Sequence, residues 1–353
     1  MNTRERFRRV MRGEPVDRLP VIEWVLWWKE TLERWYGEGL PRDLPYEDIQ
    51  AYLGLDVHRW IWLHPRGILN QLRPAGWTRS QGLLARPKDY ERIAEVLHAG
   101  PQFDAAAWAP IAAEQARGDV FVWLQIDGFF WFPREVMGIE GHLYGYYDQP
   151  ELIHRINNDL VEYNIQTVRQ LCQVLTPDIM TFAEDMSYNH GPMLSKKLFD
   201  EFMAPYYRRI VPELKERGIL VTVDSDGDIM PVIPWLEEVG IEGISPLERM
   251  AGVDVAAIRA AHPRWCMIGA FDKTVMHLGE AAMRREFERL LPVMRTGRYI
   301  PSVDHQTPPA VSLEQYRTYV SLLKEYAVRG AGHDMGNAET SSHTEESNEV
   351  TTL

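Results

Sequence analysis

Two short segments place charged side chains at the end of an apolar run, and these residues are the first candidates for chemistry. In VTVDSDGD, Asp224 and Asp226 stand one residue apart. Side chains two positions apart on an extended segment point the same way, so both carboxylates can converge on one ligand, metal ion or proton. In YIPSVDHQTPP, a second apolar run ends at Asp304 and His305. If the two runs are neighbouring strands, carboxylates and an imidazole meet at one site, where they could bind a divalent metal or transfer protons.

A purely structural interpretation of each segment stays open. A turn rich in Asp and Gly often caps the next helix, and a histidine beside prolines can bind a backbone carbonyl. The joint occurrence of both segments at predicted strand ends favours a functional site formed by Asp224, Asp226 and His305. Glu184 is expected to add an acid–base group, although it could equally cap the helix that follows. Further side chains are expected to contact the substrate: Asp127, Phe130, Trp131, Glu248 and Asp304.

These candidates need a scaffold in which many strands end at one face. Runs of β-branched and aromatic residues alternate with stretches of helical periodicity, which predicts a parallel α/β sheet, and eight runs predict closure into a single (β/α)8 TIM barrel. In such a barrel the active site lies at the carboxyl ends of the strands. The predicted strands are Leu19–Val25, Asp56–Leu63, Val120–Asp127, Asp178–Ala183, Ile219–Asp224, Gly243–Pro246, Trp265–Gly269 and Tyr299–Val303. The clearest predicted helices are Pro150–Leu175, Ser195–Arg217 and Ser312–Tyr326.

Two regions fall outside this alternation. Residues 63–84 indicate a β-hairpin insertion, Leu69–Leu84, that turns near Pro74–Gly76 and covers the barrel mouth. The tail from Gly330 onward has almost no large apolar residue, so it cannot offset the entropy cost of ordering and is expected to be disordered. The barrel is therefore predicted to occupy residues 1–329, and the disordered tail residues 330–353.

The overall composition bounds the class of protein. The 353 residues are 45% hydrophobic and 25% charged, and no apolar run approaches the roughly 18–20 residues of a membrane span, so we expect a globular protein with no membrane partner. The net charge of −13 disfavours nucleic acid as a partner. Cys172 and Cys266 lack CxxC spacing and indicate no disulfide framework, so a cytoplasmic location is expected. The usual dinucleotide, Walker-type and hydrolase motifs are absent from the sequence.

The chain resembles the uroporphyrinogen decarboxylase superfamily in seven segments between Arg4 and Tyr326. They are RERFRRVMRGEPVDRLPV, DGFFWFPREVMGIEG, SKKLFDEFMAPYYRRIVPELKERG, VDSDGDI, EGISPLE, MIGAFDKTVM and YIPSVDHQTPP. The superfamily comprises TIM-barrel uroporphyrinogen decarboxylases and zinc-dependent methyltransferases that move methyl groups between corrinoid proteins and thiols. The resemblance therefore implies the barrel fold and an enzyme of one of these two kinds.

The matched positions differ from both branches. The decarboxylases carry an arginine-rich segment after the first strand and an FSD motif, which this sequence lacks, and a histidine where His305 falls. The methyltransferases carry His-x-Cys-Gly and a distant third Cys as zinc ligands, and Asp224, Asp226 and His305 take those positions here. The resemblance thus implies a divalent metal bound by oxygen and nitrogen, or metal-free acid–base chemistry, in place of a thiol-activating zinc. Neither Cys172 nor Cys266 stands at a matched ligand position.

Three functions follow from the resemblance. The first is a methyltransferase-like enzyme that acts on a small methylated substrate or a corrinoid-bound methyl group, with the corrinoid supplied by a partner protein. The second is decarboxylation of uroporphyrinogen III or a related tetrapyrrole, with His305 at the substrate. The third is a non-catalytic protein that binds a corrinoid or a tetrapyrrole.

Overall fold

The computed structural model describes residues 1–65, 72–73, 79–84, 86–101 and 104–331. Among these residues, seven parallel strands form one curled sheet in the order β1-β2-β3-β6-β7-β8-β9, and a small antiparallel hairpin, β4-β5, follows β3. The strands are β1 (His58–Leu63), β2 (Phe121–Asp127), β3 (Ile179–Ala183), β4 (Ser187–Tyr188), β5 (Gly191–Pro192), β6 (Leu220–Asp224), β7 (Gly243–Ser245), β8 (Cys266–Phe271) and β9 (Tyr299–Val303). The α/β class is confirmed, and seven of the eight predicted strands are present with small shifts of their ends.

Helices separate most of the strands and cover the outer face of the sheet. In the described part of the chain they are α1 (Thr3–Arg12), α2 (Lys29–Gly37), α3 (Ile49–Tyr52), α4 (Glu91–His98), α5 (Ala105–Arg117), α6 (Trp131–Met137), α7 (Ile139–Asp148), α8 (Pro150–Leu171), α9 (Lys196–Phe202), α10 (Ala204–Glu216), α11 (Ile233–Glu238), α12 (Val255–Ala261), α13 (Glu280–Met294) and α14 (Leu313–Ala331). No helix among the described residues is long and apolar enough to cross a membrane.

The predicted strand Leu19–Val25 is wrong, because this segment forms no β-ladder. It is instead attached at single points, where the Asp56 N–H donates to the Val21 carbonyl at 2.7 Å and the Trp24 N–H donates to Ser302 Oγ at 3.1 Å. The segment thus lies between the chain before β1 and the last strand, β9. The described residues form a seven-stranded curled sheet rather than the eight paired strands of a complete barrel.

Glu23 holds this segment against the last strand. Its buried carboxylate accepts hydrogen bonds from the Ser302 hydroxyl at 2.6 Å, the Val303 N–H at 3.2 Å and the Tyr316 hydroxyl at 3.0 Å. Burial raises the pKa of Glu23 to about 7, although each of these bonds favours the ionised form. The Glu23 carboxyl group therefore connects this segment to β9 in place of the backbone hydrogen bonds of a β-ladder.

The amino-terminal end of the sheet is closed by α1. Phe7 stacks on Phe121 with ring centroids 4.0 Å apart, and the Cys266 thiol donates to the Met11 carbonyl at 3.4 Å. Because this end is filled, space for a ligand is left toward the carboxyl ends of the strands, where TIM barrels also bind their ligands.

The predicted helices are present with altered boundaries. The helix that begins at Pro150 ends at Leu171, four residues before the predicted end, and the predicted helix Ser195–Arg217 is divided into α9 and α10 at Met203. The last helix runs to Ala331, past the predicted domain boundary at residue 329. Its start is a capping box, in which the Gln315 N–H donates to Ser312 Oγ at 3.1 Å and the Ser312 N–H donates to Gln315 Oε1 at 2.9 Å.

The predicted insertion and tail lie largely outside the described residues. Of residues 63–84, the structure describes 63–65, 72–73 and 79–84; past the end of β1 at Leu63, these contain a 3-10 turn at Arg79–Gln81 and no strand. The Leu83 and Leu84 N–H groups both donate to the Val136 carbonyl, at 2.7 and 3.0 Å. Of the tail, Gly330 and Ala331 belong to α14, and residues 332–353 are outside the described part.

Candidate functional site

A cavity of about 650 Å³ lies inside the curled sheet and reaches the carboxyl ends of its strands. Cavities of this size, roughly 300–1,000 Å³, bind small molecules in other proteins. Aromatic side chains form much of the wall: Trp24, Tyr46, Trp60, Trp62 and Trp131. Ionisable side chains form half of the rest: Glu47, His58, Arg59, Glu184, Asp185, Asp224, Asp226 and His305. The sequence-predicted residues Asp224, Asp226 and His305 are thus brought to one cavity.

Asp224 is the last residue of β6 and faces this cavity. Gln125 of β2 donates a hydrogen bond from Nε2 to Asp224 Oδ2 at 3.1 Å, across the intervening strand β3. Burial raises the pKa of Asp224 well above its ordinary value, and the nearby carboxylates of Asp226 and Asp185 raise it further. A raised pKa makes a carboxyl group more often protonated than a free aspartic acid at the same pH, and a protonated carboxyl group can donate its proton to a substrate.

Asp226 and His305 lie next to each other beside Asp224. His305 Nε2 lies 3.6 Å from Asp226 Oδ2, and both side chains are partly exposed to solvent. The interaction with Asp226 raises the pKa of His305, so that the imidazole is more often protonated than a free histidine at the same pH. The rings of Trp24 and Trp28 lie edge-on to the imidazole, with centroids 6.4 and 6.1 Å away.

Replacing Asp226 with Asn is expected to lower the pKa of His305, because Asn keeps the side-chain volume but removes the negative charge. Titration of the His305 ring by NMR, in the wild type and in Asp226→Asn, measures the change. His190, which is exposed, is the reference within the same spectrum. An unchanged His305 titration would show that the pair is not formed in solution.

Glu184 lies on the cavity wall, but its carboxylate is directed into the start of a helix. It accepts hydrogen bonds from the N–H groups of Phe129 at 2.8 Å, Phe130 at 2.6 Å and Trp131 at 3.2 Å, and from the hydroxyl of Tyr207. Burial raises the pKa of Glu184 to about 7, while these donors favour the ionised form. The structure therefore places Glu184 as the cap of α6. The sequence had offered capping of the helix that follows Glu184, and that helix is capped by Ser195 instead.

The aromatic loop after β2 is divided between the cavity and the core. Trp131 borders the cavity, and Arg134 lies over its ring at 4.5 Å while donating to Asp185 Oδ2 at 2.8 Å. Phe130, predicted to contact the substrate, is instead fully buried against His142 with ring centroids 4.7 Å apart. Arg134 was missed by sequence reasoning, although its position one helical turn after Trp131 is a detectable signal.

The three remaining acidic candidates do not border the cavity. Asp127 is buried and accepts a hydrogen bond from Trp62 Nε1 at 3.2 Å. Glu248 accepts the Gly227 N–H at 2.9 Å, and Asp304 accepts the N–H groups of Arg249 at 3.0 Å and Lys273 at 3.2 Å. These residues hold the loops at the carboxyl ends of the strands.

Lys273 joins two of these acids and was also missed by sequence reasoning. Its Nζ lies 3.5 Å from Glu248 Oε1 and 3.4 Å from Asp304 Oδ1, and the side chain is largely buried. Lys273 therefore connects Glu248, in the loop after β7, with Asp304 at the end of β9. Glu248 also accepts the Gly227 N–H, so it holds the loop that carries Asp226 in place. Lys273 follows Asp272 at the end of β8, and this position at a strand end could have identified it as a candidate site residue.

The residues do not fit a zinc ion held by thiolates. Cys266 lies at the start of β8, at the end of the sheet opposite Asp224, and Cys172 follows α8. In the described part of the chain, no three His, Cys, Asp or Glu side chains are grouped closely enough to hold a metal ion. The expected metal site at Asp224, Asp226 and His305 therefore gains no support from the geometry.

Comparison with known proteins agrees with the fold. A methyltransferase from Methanosarcina mazei has a TM-score of 0.55 at 14% sequence identity, over 92% of this chain and 99% of its own. A fungal β-1,4-galactanase structure has a TM-score of 0.43 at 11% identity, over 85% of this chain and 99% of its own. No curated protein sequence matches the chain. The similarity to the methyltransferase structure, with its TM-score of 0.55, shows a shared fold.

A family model that matches the sequence shows which family the chain belongs to. The model of the uroporphyrinogen decarboxylase (URO-D) family matches residues 133–326, which is more than half of the chain. The matched part contains Asp224, Asp226 and His305 and most of the sheet that positions them. This chain therefore belongs to the uroporphyrinogen decarboxylase (URO-D) family.

Proposed function

We propose that the protein is an enzyme that removes a methyl group from a small substrate bound in the cavity. Asp224 donates a proton to the substrate atom that loses the methyl group, and a reduced corrinoid, carried by a separate protein, accepts the methyl group. The observation that carries this proposal is the Asp224 carboxyl group, held by Gln125 inside the cavity, where burial raises its pKa.

The proposed step breaks two bonds and forms two. The bond between the methyl carbon and its heteroatom breaks, and its electron pair stays on the heteroatom. The methyl carbon forms its new bond with an electron pair from the acceptor. The heteroatom takes the proton of Asp224, which becomes a carboxylate. Asp226 and His305, partly exposed beside it, supply the next proton from solvent.

Two further observations support methyl transfer. The cavity volume of about 650 Å³ suits a small molecule. The structural neighbour with a TM-score of 0.55 is described as a methyltransferase. A corrinoid partner is proposed because the residues do not fit a thiol-activating zinc, which leaves the corrinoid side of the family's chemistry.

Decarboxylation of uroporphyrinogen III is the weaker alternative. That substrate carries many carboxylates, which need cationic partners. Among the described residues that line the cavity, Arg59 is the one permanent cation, and its guanidinium is already bound to Glu114 at 2.8 and 3.0 Å. The carboxylates of Asp185 and Asp226 would also repel such a substrate. A non-catalytic binding protein would need no proton donor in its pocket.

A methyl-transfer assay tests the proposal. The purified protein is mixed with reduced cobalamin and, in turn, with an aromatic methyl ether, a methylated amine or a methyl thioether, and methylation of the cobalt is followed by absorbance. We expect methylation from at least one donor class. Carbon dioxide release from uroporphyrinogen III without any methyl transfer would contradict the proposal, and tight binding without either reaction would favour a non-catalytic protein.

A further inference from the structure

Asp185 has a strained backbone at the edge of the cavity. Its φ is +50°, in the left-handed region that residues other than glycine rarely adopt, and such a conformation persists only where its surroundings hold it. The Asp185 N–H donates to the Asp224 carbonyl at 3.1 Å, and the Glu184 N–H donates to the same carbonyl at 2.9 Å. The turn at Asp185 therefore holds the backbone of Asp224 directly.

The guanidinium of Arg134 holds this turn by two bonds to one residue. It donates from Nη1 to the Asp185 carbonyl at 2.9 Å and from Nη2 to Asp185 Oδ2 at 2.8 Å. The Arg134 side chain is 15% exposed, so water weakens this ion pair less than it weakens a pair on the open surface. Because the guanidinium is planar and rigid, two such bonds fix the orientation of the residue that accepts them.

The position of Arg134 is itself fixed by α6. Its guanidinium lies over the Trp131 ring at 4.5 Å, and the Trp131 N–H donates to Glu184 Oε2 at 3.2 Å. A closed chain of contacts therefore runs from Asp224 through Asp185 and Arg134 to the start of α6, and returns through Glu184. Arg134 does not border the cavity, so it acts on the cavity through Asp185.

We propose that Arg134 is a positioning residue for the proton donor: it holds Asp185 in the left-handed conformation, and Asp185 holds the end of β6 that carries Asp224. This inference rests on the proposed function, because the group that is positioned is the proton donor of that reaction. Loss of the Arg134 contact displaces the Asp224 carboxyl group but removes no group from the cavity wall. The rate of methyl transfer should therefore fall while substrate binding changes little.

Arg155 provides a matched control. Its guanidinium also lies over an aromatic ring, that of Tyr90 at 5.2 Å, and it donates to Glu91 Oε1 and Oε2 at 2.6 and 2.9 Å. This pair joins α8 to α4 and does not border the cavity. Replacing either arginine with Met keeps an unbranched side chain over the ring and removes the ion pair.

NMR of the Gln125 side-chain amide tests the proposal without any methyl transfer. This amide donates to Asp224 Oδ2 at 3.1 Å, so its signal reports the position of the carboxyl group. Labelling with ¹⁵N-glutamine gives the signal, and its loss in Gln125→Met identifies it. We expect Arg134→Met and Asp185→Ala to shift the signal toward its position in Asp224→Ala. Arg155→Met should leave the signal unchanged.

Single-turnover methyl transfer measures the consequence. We expect Arg134→Met to lower the rate by about tenfold to a hundredfold, as a small displacement of a reacting group does, with an unchanged Kd for the substrate. The double variant with Asp185→Ala should be no slower than the slower single variant, because both changes break the same contact. Rates are compared at the pH of each maximum, since Asp185, after burial and Asp226, also raises the pKa of Asp224. Melting temperatures show whether each variant is folded, and Asp185→Ala is the second variant should Arg134→Met fail to fold.

The outcomes separate this inference from the proposed function. An unchanged Gln125 signal in Arg134→Met, or single-variant losses that multiply in the double variant, would overturn the inference. Weaker substrate binding at an unchanged rate would also overturn it, because Arg134 would then act on the substrate and not on the proton donor. A shifted Gln125 signal, in a protein whose wild type transfers no methyl group from any donor, would support the hold on Asp224 and reject the proposed function.

Discussion

Replacing Asp224 with Asn is expected to lower the rate of methyl transfer by about 10²–10⁴-fold, the usual contribution of a positioned proton donor. Asn has nearly the same shape and can still bond to Gln125, but it has no acidic proton to give. Binding of the substrate should change much less, because the proton is needed only when the methyl bond breaks. Single-turnover rates and binding constants, measured separately, show this difference.

Asp228→Asn is the matched control for this variant. Asp228 lies four residues further along the same loop, does not border the cavity, and caps a short turn through the Met230 N–H at 3.1 Å. Asn caps such turns equally well, so this variant should keep full activity. Similar rates for Asp224→Asn and the wild type would move the proton donor elsewhere in the cavity.

The stability of Asp224→Asn also has an expected pH dependence. The folded protein keeps the Asp224 proton at pH values where the unfolded chain has released it, since the pKa is raised from its ordinary value of 3.8. More protons are then bound in the folded state, so its stability falls as the pH rises from about that value through the folded pKa. The advantage of Asp224→Asn in free energy of unfolding should therefore be small in acid and increase with pH. Urea unfolding of both proteins across this range measures it.

Replacing Glu184 with Ala is expected to destabilise the protein by about 3–5 kcal/mol, because four buried donors lose their acceptor. Three of them are the first N–H groups around α6, and the fourth is the Tyr207 hydroxyl. A carboxylate also matches the positive end of the helix dipole. Gly128 has room only for hydrogen at its Cα, since a Cβ would lie 2.1 Å from Glu184 Oε1. Chemical denaturation measures the loss.

Glu201→Ala serves as the control for Glu184→Ala. Glu201 is exposed near the end of α9, and its replacement should change stability by no more than about 0.5 kcal/mol. If Glu184 were a proton donor, its variant would lose activity while remaining stable. Near-normal stability of Glu184→Ala together with complete loss of methyl transfer would therefore reverse the assignment made from the structure.

The sequence alone predicted seven strands of the sheet and the approach of the candidate residues Asp224 and His305 to one cavity. Asp224 and His305 follow apolar runs, and parallel strands end at one face, so their approach could be predicted without coordinates. In the structure β6 and β9 are separated by β7 and β8, and the curl of the sheet brings His305 to Asp226. The spacing of apolar residues predicts which side chains of a strand are buried, and this spacing can be read from a short stretch of sequence.

Only the tertiary structure decided what each acidic side chain does. Glu184 and Asp224 both follow buried strands, yet Glu184 meets three backbone N–H groups more than 50 residues away in sequence, whereas Asp224 meets one amide and two carboxylates. The same holds for Glu23, which fastens its segment to β9 where a strand was predicted. A carboxylate takes its role from the donors and charges that surround it, and distant parts of the chain supply these only after folding.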